Sequence, residues 1–194
     1  MQFSVKSQDS FSRGQLILRT IFGWLYIVIP HAFLMFFVGI WASILAFLAF
    51  WVVLFTGKYP ESWYTFQVKF MNWSARVSAS LLNLTDEYPA FLPKGESAAV
   101  SFTSDRPEKI SRGLTIVRLL FGIFYVGVPH GFCLFFRMIG TSVLSFLAWF
   151  AVLFGGKYPA KWHAFNVGTF RWSYRIQLYL SNMTDVYPAF SGKE

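Results

Sequence analysis

Two histidines are the first candidates for a chemical role in this 194-residue chain. His31 and His130 each follow a proline, Pro30 and Pro129, inside a long apolar run. If two such imidazoles faced each other, they could ligate haem or a metal, or hydrogen-bond a quinone. The alternative, which we favour, is that each histidine caps backbone carbonyls freed by the proline kink. We therefore predict no cofactor and no metal site, and retain the pair as the candidate cofactor ligands.

Other catalytic motifs are missing from the sequence. Lipid hydrolysis would need a Gly-x-Ser-x-Gly elbow, and nucleotide chemistry a Gly-x-x-x-x-Gly-Lys loop, and the chain has neither. Ser74 and Ser173 stand beside tryptophans, with no histidine near them in sequence. These observations favour a protein without catalytic activity and leave the enzyme class open.

The composition is that of a membrane protein. The chain is 55% hydrophobic, 21% aromatic and only 13% charged, whereas soluble domains are about 25% charged. The net charge of +8 is explained by attraction to an anionic leaflet, so no nucleic-acid partner is predicted. Cys133 is the single cysteine, which rules out an intrachain disulfide.

The two halves of the chain are copies of one unit. A shift of 99 residues aligns 12–91 with 111–190 without a gap, and 40 of the 80 positions are identical. The predicted domains are therefore a first repeat, 1–97, and a second repeat, 98–194. Phe3 also aligns with Phe102, so a short piece before each unit is expected to belong to it.

Each repeat contains an apolar run that is longer than a membrane is thick. Residues 20–55 include no Asp, Glu, Lys or Arg. As one helix this run would be about 54 Å long, against a hydrocarbon core of about 30 Å. It must therefore turn back near residues 38–42 or break at Pro30 into a re-entrant piece and a span. We favour the hairpin, because Arg137 falls at the same place in the second repeat and could reach the headgroups from a turn.

An amphipathic helix is predicted after each hairpin, on the cytoplasmic side. Apolar residues recur every three or four positions through about 60–84 and again through about 159–183. The predicted fold is thus all-α and integral to the membrane, with hairpins at about 16–56 and 115–155 and four transmembrane helices. Six residues are predicted at the lipid interface: Trp63, Trp73, Arg76, Trp162, Trp172 and Arg175. For the two arginines the alternative, which we favour, is a structural ion pair or cap with Asp86 and Asp185.

Charge placement predicts that both termini are cytoplasmic. Of the 17 Lys and Arg residues, only Arg137 would lie at the far end of a hairpin. The two units would then be parallel, about a pseudo-two-fold axis along the membrane normal. Small residues would let the Pro-His spans approach at this axis, Gly23 and Ala32 against Gly122 and Gly131.

Three motifs carry a family resemblance. They are Leu-Phe-x-Gly-Lys-Tyr-Pro after the apolar run, Arg-Trp-Ser-x-Arg at 171–175, and Thr-Asp-x-Tyr-Pro-Ala-Phe at 85–91 and 184–190. Together they resemble the bacterial membrane family filed as domain of unknown function number 4389, over nearly the whole chain. That family usually has Tyr-Pro-Pro-Phe, where this chain has Ala90 and Ala189. The resemblance implies a membrane hairpin with an interfacial helix in the bacterial inner membrane, and no established activity. Some short members carry a "lipase" label, for which this sequence lacks the motif.

The predicted function is that of a non-catalytic accessory or scaffold subunit. It would associate with membrane lipids, with other membrane-protein subunits and with a cytoplasmic protein. The rigid aromatic chain ends are the candidate docking residues: Tyr88, Pro89, Phe91, Tyr187, Pro188 and Phe190. Two alternatives stay open. One is a transport or channel component that acts as an oligomer, and the other is a haem-binding, quinone-binding or lipid-modifying enzyme that uses His31 and His130.

Overall fold

The computed structural model describes residues 1–193, which are mostly helical. Two short strands and four helices follow one another in the order β1, α1, α2, β2, α3, α4. The strands are β1, Gln2–Val5, and β2, Val100–Thr103. The long helices are α1, Arg13–Thr56, and α3, Arg112–Gly155. Each is followed by a shorter helix, α2, Glu61–Leu81, and α4, Ala160–Leu180.

The apolar run of each repeat is one unbroken helix. Its first turn is capped by a serine: Ser12 Oγ accepts from the backbone N–H of Gln15, and Ser111 Oγ from that of Leu114. Each long helix ends at a glycine in the left-handed region, Gly57 or Gly156, with φ of 69° and 67°.

The predicted hairpins, 16–56 and 115–155, are therefore wrong. Residues 38–42 form no turn, because a lone Gly39 does not break a helix and no proline stands there. Arg137 likewise lies within α3. Among the described residues, two helices and not four are long and apolar enough to cross a membrane.

A π-helical turn accommodates the proline inside each long helix. It covers Trp24–Val28 in α1 and Ile123–Gly127 in α3, directly before Pro30 and Pro129. A proline ring clashes with the carbonyl four residues earlier, and a widened turn relieves that clash without ending the helix. The helix therefore continues past Pro30, and the next residue, His31, lies on its buried side.

The shorter helices fold back along the long ones. Pro60 and Pro159 precede their first turns, where a missing N–H costs nothing. They run 61–81 and 160–180, against predicted ranges of 60–84 and 159–183. In each unit the short helix packs on the long helix that precedes it.

The two units are related by a pseudo-two-fold axis that passes through the strands. β1 and β2 pair antiparallel, with Phe3 opposite Phe102, its equivalent in the other repeat. Further along the chain, the N–H of Phe11 donates to the carbonyl of Gly156, and that of Ile110 to Gly57, both at 2.8 Å. Each unit thus docks the segment before its long helix onto the last turn of the other unit's long helix.

The long helices run antiparallel, in contact near their ends. Arg13 donates to the carbonyl of Phe154 at 2.9 Å, and the indole of Trp149 to Thr20 Oγ1 at 2.8 Å. The predicted packing of the Pro-His segments through small residues is wrong. A side chain at Gly131 would meet nothing within 4 Å, and at Gly23 it would meet only Arg19, its own helix neighbour.

The two strands β1 and β2 form a ribbon. The core lies between this ribbon, the short helices and one face of each long helix. Phe3 and Phe102 pack edge-on to Tyr174 there, with ring centroids 5.3 and 5.1 Å away. Ala49, Val53, Ala148 and Val152 are among the fully buried residues that the long helices contribute. The opposite faces of α1 and α3 leave their aromatic and aliphatic side chains exposed; Phe36 is 63% exposed and its equivalent Phe135 is 61% exposed.

Candidate functional site

The two histidines occupy equivalent sites, one in each unit. The indole N–H of Trp73 donates to Nδ1 of His31 at 2.9 Å, and that of Trp172 to Nδ1 of His130 at 2.9 Å. Both imidazoles are completely buried. Because Nδ1 accepts, the neutral ring carries its proton on Nε2.

The segment after each short helix closes over the histidine. We call residues 85–91 and 184–190 the closing segments. The ring of Phe91 stacks on His31 at 4.2 Å, with 2° between the planes, and Phe190 stacks on His130 at 3.8 Å and 10°. The closing segments therefore fold back onto the long helices, although Phe91 and Phe190 keep one exposed face each.

A tyrosine of the closing segment caps the proline kink. Tyr88 donates its hydroxyl to the carbonyl of Tyr26, and Tyr187 to that of Tyr125, both at 2.9 Å. Tyr26 precedes Pro30 by four residues, so its carbonyl lacks the α-helical partner that Pro30 would have supplied. We predicted a histidine in this role, and the structure gives it to the tyrosine.

The Nε2 atoms of the two histidines differ in their surroundings. Nε2 of His130 lies 3.2 Å from the hydroxyl of Tyr187. Nε2 of His31 is buried without a hydrogen-bond partner among the described residues. The partners of each imidazole belong to its own unit. Among residues 1–193, no group of three or more His, Cys, Asp or Glu is placed so that it could hold a metal ion.

An arginine of each long helix fastens the end of the short helix, a role that sequence analysis missed. Arg19 donates to the carbonyls of Ser80, Thr85, Asp86 and Glu87. Its equivalent Arg118 binds side chains instead, Asn182 Oδ1 at 3.1 Å and Asp185 Oδ1 at 2.7 Å. The sequence feature that could have indicated this role is that both repeats have an arginine at the same position, just before the uncharged run.

The arginines of the short helices also bind the chain itself. Arg76 is buried, and it donates to the carbonyls of Leu92 at 2.7 Å and Ala90 at 3.4 Å. Arg175 donates to the carbonyl of Ser191 at 3.2 Å. Burial lowers the pKa of both guanidinium groups from the ordinary value. Arg76 thus holds the end of the closing segment and the residue that follows it.

The two aspartates cap the long helices rather than pairing with Arg76 and Arg175. Asp86 accepts from the N–H of Ser12 at 2.8 Å, and Asp185 from that of Ser111 at 2.7 Å. A carboxylate at a helix N-terminus also complements the helix dipole. The expected ion pairs with Arg76 and Arg175 are replaced by these caps.

The four tryptophans predicted at the lipid interface divide into two pairs. Trp73 and Trp172 are buried against the histidines, which differs from their predicted lipid-facing position. Trp63 and Trp162 are half-buried and pack on the core. The apolar stripe that we assigned to lipid therefore faces the long helices in the folded chain.

The units also exchange buried polar contacts. His163, in α4, donates from Nε2 to the carbonyl of Leu84 in the first unit, at 3.1 Å. Burial lowers the pKa of His163, and the bond to Leu84 opposes this in part. Burial raises the pKa of Tyr174 to about 12, and Ser74 and Ser78 of the other unit hydrogen-bond its hydroxyl. These contacts hold the two units together beneath the ribbon.

The polar groups of the histidine sites hold the closing segments in place. The indole, the imidazole and the tyrosine hydroxyl bind one another and the backbone, and two arginines in each unit anchor the chain on either side. This arrangement can fix a segment against a helix.

Comparison with known proteins identifies a family. The family model described as "Domain of unknown function (DUF4389)" matches residues 15–92 and again 114–192. No curated protein and no solved structure matches the chain.

Proposed function

The chain belongs to the DUF4389 family, whose unit it carries twice, and from that premise we propose that it is a non-catalytic scaffold embedded in one leaflet of a membrane. The observation that carries the proposal is the apolar outer face of α1 and α3. Side chains such as Phe36 and Phe135 are more than half exposed over helices of 44 residues each. Water would solvate such faces poorly, whereas lipid chains or partner helices cover them.

The length and direction of the long helices favour an in-plane position. A helix of 44 residues is about 66 Å long, more than twice the hydrocarbon thickness of about 30 Å. Because α1 and α3 are antiparallel, a crossing arrangement would also separate their ends onto opposite sides of the membrane. It would place buried Arg76, in the middle of α2, near the bilayer centre, where an arginine is costly.

An in-plane position keeps the positive charges on one side. Lys58 and Arg112, at one end of the helix pair, would face the same aqueous phase as Arg13 and Lys157 at the other end. Since positive residues favour the cytoplasmic side, we propose the cytoplasmic leaflet of the bacterial inner membrane, with both termini in the cytoplasm. The units are then related about the membrane normal, as the charge pattern predicted, without hairpins.

The scaffold role is supported by how the contacts that both units share are used within the chain. The histidine sites are covered by Phe91 and Phe190, and each imidazole accepts from a tryptophan of its own unit. The outer faces of α1 and α3 and the exposed faces of Phe91 and Phe190 remain for partners. We propose membrane helices of another subunit as the partners of α1 and α3.

Photo-crosslinking in cells tests this assignment. A benzophenone amino acid at Phe36, or at its equivalent Phe135, should yield protein adducts of defined mass, since these side chains face outward. The matched control is the same probe at Lys58, which is exposed near the last turn of α1 and away from the apolar face. Adducts to lipid alone at both phenylalanines would contradict a scaffold function.

A further inference from the structure

The first unit contains an apolar groove that the second unit has filled. The groove, of about 690 Å³, lies between α1, α2 and the chain beyond the first closing segment. Its apolar lining includes Phe37, Val38, Trp41 and Phe66. Two exposed lysines, Lys69 and Lys94, line it as well, and no acidic residue does.

Arg137 occupies the corresponding place in the second unit. It stands where the first unit has Val38, 99 residues earlier. Its Nε donates to Thr169 Oγ1 at 3.0 Å, and Nη2 to the carbonyl of Phe165 at 3.2 Å. Its guanidinium also lies 4.3 Å from the ring centre of Phe165, the equivalent of groove residue Phe66. In the second unit, the Arg137 side chain therefore provides a positive charge and fills the space at this site.

The chain after the second closing segment completes the filling. A side chain at Gly192 would meet the carbonyl of Gly168 at 2.6 Å, so the two backbones are in direct contact. Gly168 and Gly192 replace Lys69 and Pro93 of the first unit. Trp41, which lines the open groove, is likewise replaced by Gly140. The two copies share a backbone, and a few substitutions leave one groove open and close the other.

We propose that the open groove binds one anionic phospholipid from the surrounding leaflet. An acyl chain lies along Phe37, Trp41 and Phe66, and the phosphate lies between Lys69 and Lys94. The occupant must be apolar along its length and anionic at its head, because the groove has apolar walls and two cations. The lipid identity rests on the proposed position in a leaflet, which brings phospholipid to α1 while the lysines face the headgroups.

The test is native mass spectrometry of the detergent-solubilised protein, incubated with phosphatidylglycerol or phosphatidylcholine. The wild type should retain one phosphatidylglycerol, at least tenfold in excess of phosphatidylcholine. Val38→Arg with Lys69→Gly and Phe70→Thr introduces the equivalents of Arg137, Gly168 and Thr169 and should lose this adduct. Lys69→Gln with Lys94→Gln should lose it without altering the apolar wall, and Lys193→Gln, the equivalent of Lys94, should keep it.

Four outcomes would overturn the proposal: no binding by the wild type, equal retention of the two lipids, retention by the lysine double variant, or loss in the Lys193→Gln control. Thermal unfolding of each variant separates loss of binding from loss of fold. The measurement is made in detergent, so it does not depend on how the helices lie in a membrane. If the wild type does not bind lipid, the proposed scaffold role is unaffected. If the long helices cross the membrane, the result for the groove is unaffected.

Discussion

Trp73 donates its indole N–H to Nδ1 of His31 across 2.9 Å, in the completely buried centre of the first unit. The second unit repeats the bond at the same length. A buried donor and acceptor that satisfy each other stabilise the fold, because either one alone would have lost its water. The proline-histidine element of the long helix is thus fixed to the short helix, and the closing segment covers both.

Trp73→Phe should therefore destabilise the protein. The smaller phenyl ring leaves a cavity, and Nδ1 of His31 loses its donor, which alone costs about 1–3 kcal/mol. For a chain of this size the unfolding temperature should fall by roughly 2–12 °C, measured by thermal unfolding in detergent. Trp63→Phe is the control, since Trp63 is half-buried at the edge of the core. Equal effects of the two changes would contradict the role given to the bond.

Asp185→Asn should cost more than Asp86→Asn, although the two residues are repeat equivalents. Asp185 forms an ion pair with Arg118, whose side chain is 1% exposed, at 2.7 Å. Arg19, the equivalent of Arg118, is held by backbone carbonyls that the Asp86 change leaves in place. We expect a loss of about 2–4 kcal/mol for Asp185→Asn and about 1 kcal/mol for Asp86→Asn. Chemical unfolding measures both, and equal losses would show that the arginines are held alike.

Stability should fall in mild acid because of His163. Burial lowers its pKa in the folded chain from the ordinary value of 6.5. Above pH 6.5 the histidine is neutral in both states and contributes no pH dependence. Below that value the unfolded chain takes up a proton that the folded chain does not, so the free energy of unfolding falls until the lowered pKa is reached. His163→Tyr, which copies Tyr64 of the first unit, should reduce the difference in unfolding temperature between pH 7.5 and 5.5. An unchanged difference would contradict this linkage.

The local elements could be predicted from the sequence. Pro60 and Pro159 begin the short helices within one residue of the expected starts, because a proline's preference for the first turn is a local property. Phe3 pairs with Phe102, the residue with which the same 99-residue shift aligns it.

The long helices were misjudged for a physical reason. The predicted turn at residues 38–42 came from comparing helix length with bilayer thickness, which limits a helix only if it stands upright in the membrane. Nothing in residues 38–42 itself breaks a helix. Arg137 was explained by the same turn, whereas it is satisfied by Thr169 and Phe165 of the neighbouring helix.

The histidine sites depend on contacts that are distant in sequence. His31, Trp73 and Phe91 were each singled out, but they were assigned to a cofactor, to lipid and to a partner. Only the fold of α2 back along α1 brings the three together. The repeat alignment contained a usable signal, since all three are identical in both units.

The one-sided position in the membrane is the central claim, and cysteine labelling tests it most directly. Lys58→Cys and Lys157→Cys are introduced singly with Cys133→Ser, and a membrane-impermeant maleimide is applied to cells with a permeabilised outer membrane and to inverted inner-membrane vesicles. Lys58 and Lys157 follow the last turns of the antiparallel helices α1 and α3, so they mark opposite ends of the pair. We predict that both cysteines react in inverted vesicles and that neither reacts in the cells until detergent is added. Labelling of one cysteine from each side would show that the long helices cross the membrane and would contradict the account.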